Sequence, residues 1–437
     1  MNSKTNIYKR IIIRLYILLK GDKLQTMKFE VAILTAIIII TATINIHSGI
    51  SLLMTNTTIY CSGSIGFEAT RPLHVEGRYV KNDLGQIVYL RGAYKWEFTD
   101  TCTGLWTPVG QQHPAGLTTF SEDAVRAHFQ TMRQWGFNAL YIGFCPEWWI
   151  KNSAVTLDGS PTDVGCKYAM KRTTEIALEE EIYLSWRGGS SRAGEGHKYL
   201  PFPATGCGNC HDGSIFADQQ DWIDFWLTFM QEYSMYPNVI FHLYDEPVGD
   251  YNTQTIWFDA VEQLIISARA LGIRNIIQHH WAYCGGWEWL DRWYSEERPL
   301  DNVMFTNHIY RHDGTFENNP LSPTDYKYVK AQLGQDWRTN TSVPFGRTYL
   351  HAINDLNAPI CCGATGAFDY SKDGDPAEYA RELECFTNIL KVLNEWQLGY
   401  VAYQWQRTDW YWPLQRADDW RLPNEAGQIL INAISGT

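Results

Sequence analysis

Short apolar runs alternate with amphipathic stretches along most of this chain, and that alternation leaves few folds open. The runs cover residues 86–94, 137–144, 182–186, 239–244, 275–280, 303–310, 358–363 and 399–405. Among them 239–244 is an apolar and aromatic run bounded by a turn signal, the pattern of a strand buried on both faces. Between them lie stretches of helical spacing. Residues 122–135 put Val125, Phe129, Met132 and Trp135 on one face, with Ser121 as N-cap. Residues 167–180, 219–233, 253–271, 324–337 and 376–396 read the same way, and a last helix is expected over 425–434. Eight strands with helices between most of them predict an α/β fold, a parallel (β/α)8 TIM barrel in a single domain over 70–437. Only the crossover 281–302 is aromatic and weakly helical in pattern. An open doubly wound sheet would normally carry a Gly-rich phosphate turn after its first strand, and Gly92-Ala93-Tyr94 is not one. Ahead of the barrel, residues 73–80 and 86–92 read as two strands joined by the turn 82–85, the first of them a hairpin cap.

Residues 1–55 do not belong to that pattern. Lys9-Arg10 precedes an apolar run at 11–19, and Met27-Lys28 precedes an almost wholly apolar run at 31–46. This is the layout of an N-terminal extension with a signal peptide or a single membrane anchor, and Met27 is a second candidate start. The barrel is therefore expected to be secreted or membrane-anchored, on the extracytoplasmic side. Ten cysteines, an even number, suit that compartment and permit disulfides. The segment Cys207-Gly208-Asn209-Cys210-His211 matches the haem-attachment spacing, but one short match in a Gly-rich loop weighs less than disulfide formation. No second Cys/His pair at ligand spacing follows it, so neither a metal nor a cofactor is expected. A net charge of −12 and the lack of a basic cluster in the body of the chain argue against nucleic acid. The chain is expected to act as a monomer.

Chemistry points to Asp245-Glu246-Pro247, directly after the run 239–244. Pro247 cannot donate to a ladder, so the strand ends there. Carboxylates at the C-terminal end of a buried parallel strand sit where barrel enzymes do their chemistry. The chain also carries 19 Trp and 25 Tyr, many in loop-like stretches such as Glu147-Trp148-Trp149 and Trp287-Glu288-Trp289. Rings there suit a flat ligand face such as a sugar.

Five features occur in order along these strands: Leu90-Arg91-Gly92; Trp135-Gly136-Phe137-Asn138; Tyr236-Pro237-Asn238-Val239-Ile240 leading to Asp245-Glu246-Pro247; His308 with Tyr310; and Trp405. Together they resemble glycoside hydrolase family 5, the cellulase-type barrels, over roughly 73–412. The resemblance implies retaining hydrolysis of a β-linked polysaccharide or oligosaccharide by two carboxylates about 5–5.5 Å apart. It makes Glu246 the general acid/base. Asp245 stands where the family has an Asn that contacts the sugar 2-hydroxyl, and a second carboxylate there should raise the pKa of one of the pair. Arg187 stands for the family's third-strand His. His308, Tyr310, Trp281 and Trp405 become substrate-binding residues, with Trp405 as the stacking floor.

The family's nucleophile falls at Ala364, within Gly363-Ala364-Thr365-Gly366, and the Arg that supports it falls at Tyr141. A methyl group cannot attack an anomeric carbon. Three expectations follow: a hydrolase whose second carboxylate has moved, to Asp313, Asp355 or Asp369; a catalytically lapsed carbohydrate-binding barrel; or a bare scaffold.

Overall fold

The computed structural model describes residues 70–95, 120–152, 164–189, 200–206, 214–245, 247, 251–280, 300–311, 324–334, 349–405, 413–416 and 418–436. Glu246, Trp281, Asp313, residues 1–69 and the Cys207–His211 motif lie outside them.

The eight expected strands are present as β3 (Arg91–Lys95), β4 (Ala139–Phe144), β5 (Tyr183–Gly188), β6 (Val239–His242), β7 (Ile277–His280), β8 (Val303–Ile309), β9 (Ile360–Thr365) and β10 (Gly399–Tyr403). They pair in parallel in chain order, and β10 closes back onto β3. The chain is a closed (β/α)8 barrel. Helices α1 (Glu122–Gln134), α3 (Cys166–Glu179), α4 (Gln219–Tyr233), α5 (Tyr251–Ala270), α6 (Tyr326–Leu333), α8 (Pro376–Glu395) and α9 (Glu425–Ser435) follow the predicted spacing, and short helices α2 (Pro146–Lys151) and α7 (Tyr349–Asn354) add to them. Ser121 caps α1 by accepting from the Ala124 amide. Among the described residues no helix is long and apolar enough to cross a membrane.

Strand alternation divides the core in two. Leu140, Ile142 and Phe144 of β4 point to the helices, where Phe144 stacks on Phe229 of α4 at 4.7 Å. Ala139 and Tyr141 point inward with Tyr94, Ile240, Met304 and Val401. Asparagines bind the strand entrances together. Asn138 accepts from the Arg91 amide at 2.8 Å and donates to the Tyr89 carbonyl at 2.9 Å. Asn238 donates to the Ile182 carbonyl, Asn275 to those of Tyr236 and Val239, and Asn302 to that of Arg274.

The N-terminal hairpin differs from expectation. Residues 73–80 are not one strand: β1 (Leu73–Glu76) turns at Gly77 into antiparallel β2 (Tyr79–Asn82). Gly77 has φ +57, a left-handed conformation that glycine adopts without steric cost. The hairpin lies at the strand-entrance end of the barrel, where Val75 donates to Asn302 and Arg78 to Asn357.

The five described cysteines are all buried. Cys361 accepts from Tyr141 Oη at 3.4 Å, and burial pushes its thiol up to about 12.

Candidate active site at the barrel mouth

The side chains at the exit ends of five strands meet on one carboxylate. Asp245, three residues beyond the end of β6, is fully buried. Its Oδ2 accepts from Tyr94 Oη of β3 at 2.7 Å and from Arg187 Nη1 of β5 at 2.8 Å. Its Oδ1 faces His308 Nε2 of β8 at 3.0 Å, His280 Nδ1 of β7 at 3.6 Å and His242 Nε2 of β6 at 3.9 Å. Tyr94, His242 and His280 are buried as completely as Asp245, Arg187 is 1% exposed and His308 8%. The guanidinium also lies over the Tyr94 ring, 5.3 Å from its centroid.

This geometry sets the charge states. Burial acts to raise the pKa of Asp245, but His308 and Arg187 outweigh it and hold the carboxyl well below its ordinary range. Tyr94 moves well upward, first by burial and then by its anionic neighbour, so it remains a donor. Burial pushes His242 well below the usual imidazole value, against the pull of Asp245. The mouth thus holds a desolvated anion clamped by a buried cation.

Of the residues singled out by sequence, the structure joins Asp245, Arg187, His308 and Tyr310. Tyr310 follows β8, is 6% exposed and meets the His308 ring edge-on at 6.1 Å. Next to it, Arg311 ties the end of β8 to α8 through Glu382, at 2.7 Å, and Glu378. Glu382 is buried, which raises its pKa against the pull of Arg311, and it also accepts from the Phe368 amide.

Trp405 is not in this cluster. It is fully buried beside Trp135 and Phe137, with Nε1 donating to His128 Nδ1 at 3.2 Å. β10 ends at Tyr403, so strand alternation does not extend to residue 405. The aromatic that faces the interior is Tyr403, half-buried, 5.3 Å from the Tyr94 ring and 6.4 Å from the Tyr310 ring.

Ala364 lies inside the barrel opposite His308, 1% exposed. A bulge at Gly363 puts it there: the register slips between Asn307 and His308, so Cys361 and Ala364 both face inward. A Cβ on Gly363 would come within 2.1 Å of Thr306 Oγ1. Of the alternative carboxylates, Asp369 follows β9 on the mouth side but caps the 3-10 helix Tyr370–Asp373. Asp355 precedes β9, at the opposite end of the barrel, and pairs with His351 at 2.6 Å.

Sequence reasoning missed Tyr94, His242, His280 and Tyr403. Each is a polar or aromatic side chain in the last two residues of its strand, and that position was the available signal.

No protein-family model matches the chain, and no curated protein matches it. Solved structures do. The catalytic domain of the major endoglucanase of Xanthomonas campestris pv. campestris is similar at 15% identity and TM-score 0.58, over 84% of this chain and 100% of that one. A hyperthermophilic endocellulase of Pyrococcus horikoshii is similar at 15% identity and TM-score 0.58, over 84% and 99%. A β-mannanase of Streptomyces thermolilacinus is similar at 14% identity and TM-score 0.51, over 84% and 97%. At these identities what is shared is the barrel fold.

Proposed function

We propose that this chain is a carbohydrate-active barrel of the cellulase type, a glycoside hydrolase acting on a β-linked polysaccharide, with Glu246 as general acid/base. The observation that carries this reading is the convergence of five strand ends on Asp245, the residue bonded to Glu246. A carboxylate fixed as an anion makes its neighbour harder to ionise, which is the state a general acid needs. The likeness to endoglucanases and a β-mannanase supports a polysaccharide or oligosaccharide substrate. Tyr310 and Tyr403 are the rings we assign to the sugar, Tyr403 in place of Trp405. Residues 70–437 form the hydrolase-like domain in this reading. Residues 1–55 deliver it, as signal peptide or anchor, to the extracytoplasmic side, where it works as a monomer.

A second reading is favoured by Ala364. A buried methyl opposite His308 supplies no nucleophile, and Tyr141, where the family resemblance expects Arg, holds Cys361 instead of a carboxylate. On this reading the barrel binds glycan without cleaving it. One experiment separates the two. Product release from β-glucan and β-mannan is measured for the parent chain, Glu246→Gln and Ala364→Glu, with oligosaccharide binding followed in parallel. Turnover by the parent that falls about 10²-fold or more in Glu246→Gln supports the hydrolase. Binding without turnover, with activity gained only in Ala364→Glu, supports the lapsed enzyme. A folded parent that neither binds nor cleaves either glycan overturns both.

A further inference from the structure

We propose that the barrel mouth is also a transition-metal site, suited to zinc, with Asp245, His280 and His308 as ligands. Their donor atoms all lie within 4.8 Å of one another, and all three residues are buried. Zinc bonds of about 2.0–2.1 Å in a tetrahedron set neighbouring ligand atoms about 3.3–3.4 Å apart. The observed separations from Asp245 Oδ1, 3.0 Å to His308 Nε2 and 3.6 Å to His280 Nδ1, bracket that edge. On these two edges an ion would need shifts of only a few tenths of an ångström. Two imidazole nitrogens and one carboxylate oxygen form a borderline donor set, which suits zinc better than the oxygen-only shells of calcium or magnesium.

Two further observations point the same way. Tyr94 and Arg187 both bind Oδ2, which leaves Oδ1 turned toward the imidazoles. Outer partners of this kind orient a ligating carboxylate, and here the carboxylate also separates the guanidinium from the ion. His242 is fully buried, and neither of its ring nitrogens makes a hydrogen bond. Its Nε2 lies 3.9 Å from Asp245 Oδ1, next to the three proposed ligands but not one of them. Buried imidazole nitrogens in folded proteins ordinarily have a partner, so the surroundings of the proposed ion carry an unmet polar requirement. This proposal does not rest on glycosidase activity.

The test is metal binding by the intact chain. After removal of metal with dipicolinate, the chain is titrated with zinc against a chromogenic chelator, and separately with cobalt(II). We expect one equivalent of zinc and the strong visible absorption of four- or five-coordinate cobalt. His280→Gln and His308→Gln should each weaken binding by about 100-fold or more, and Tyr94→Phe by about 10-fold. His351→Gln, which alters the distant His351–Asp355 pair, should leave it unchanged. Zinc that fails to bind stoichiometrically to the folded chain overturns the proposal, as does binding that survives His280→Gln and His308→Gln or is lost in His351→Gln. If those two ligand variants do not fold, the parent decides: weak, octahedral cobalt absorption refutes the site.

Discussion

Asp245 is the residue on which the mouth depends, because it is the partner of a buried guanidinium. Removing one member of such a pair leaves an uncompensated charge and costs about 3–5 kcal/mol. Asp245→Asn should destabilise the metal-free chain by that amount in denaturant unfolding, although the side chain is nearly isosteric. The pH dependence follows from the direction of the shift. The folded-state pKa of Asp245 lies below the unfolded one. Its stabilisation is therefore complete above the ordinary carboxylate value of about 4 and is lost as pH falls through the folded value. Below pH of about 4, the parent should lose stability more steeply than Asp245→Asn. Equal slopes would remove Asp245 from the acid-sensitive groups. Tyr403, the last residue of β10, and Trp405, two residues beyond it, make a contrasting pair. Trp405→Ala opens a cavity in a closed core and should cost about 3–5 kcal/mol. Tyr403→Ala, at a half-buried ring, should cost less and weaken oligosaccharide binding instead. Reversed effects would return the stacking role to Trp405.

At the scale of elements, β9 shows how one residue re-aims a strand. With two-residue alternation Cys361 and Gly363 would share the inner face. The bulge shifts that place to Ala364. Glycine is needed there because the Thr306 hydroxyl occupies the space of a side chain. Gly363→Ala should cost about 1–3 kcal/mol by overpacking, and Thr306→Ala in the same chain should recover part of it. Additive losses in a double-mutant cycle would show that the two sites do not touch. At the other end of the barrel, the asparagines before β4, β6, β7 and β8 tie each strand to the carbonyls of its neighbour. They serve strand alignment, and the buried charged cluster around Asp245 gathers at the exit ends. This division between ends is the usual one for such barrels.

For the molecule as a whole, the barrel was legible in the sequence and the mouth only partly so. Period-2 and period-3.6 patterns report burial, so each of the eight apolar runs became a strand and each of the longer amphipathic stretches a helix. The hairpin differs because Gly77 turns the chain within a strand-like run. Asp245 is legible from its place after a buried run, and Arg187, His308 and Tyr310 from the family resemblance. Tyr94, His242 and His280 stand at strand ends too. What assembles them is closure: β10 pairing with β3 brings five exits onto one axis, and no spacing along the chain encodes that distance. Where a strand stops and where it bulges decided that Tyr403 faces inward and Trp405 does not, and that Ala364 lies opposite His308. The sequence by itself determined the order and type of the elements, since local periodicity is a property of neighbours. The tertiary structure alone decided the constellation around Asp245, since a buried charge takes its partners from whatever strands the closed sheet brings within a few ångström.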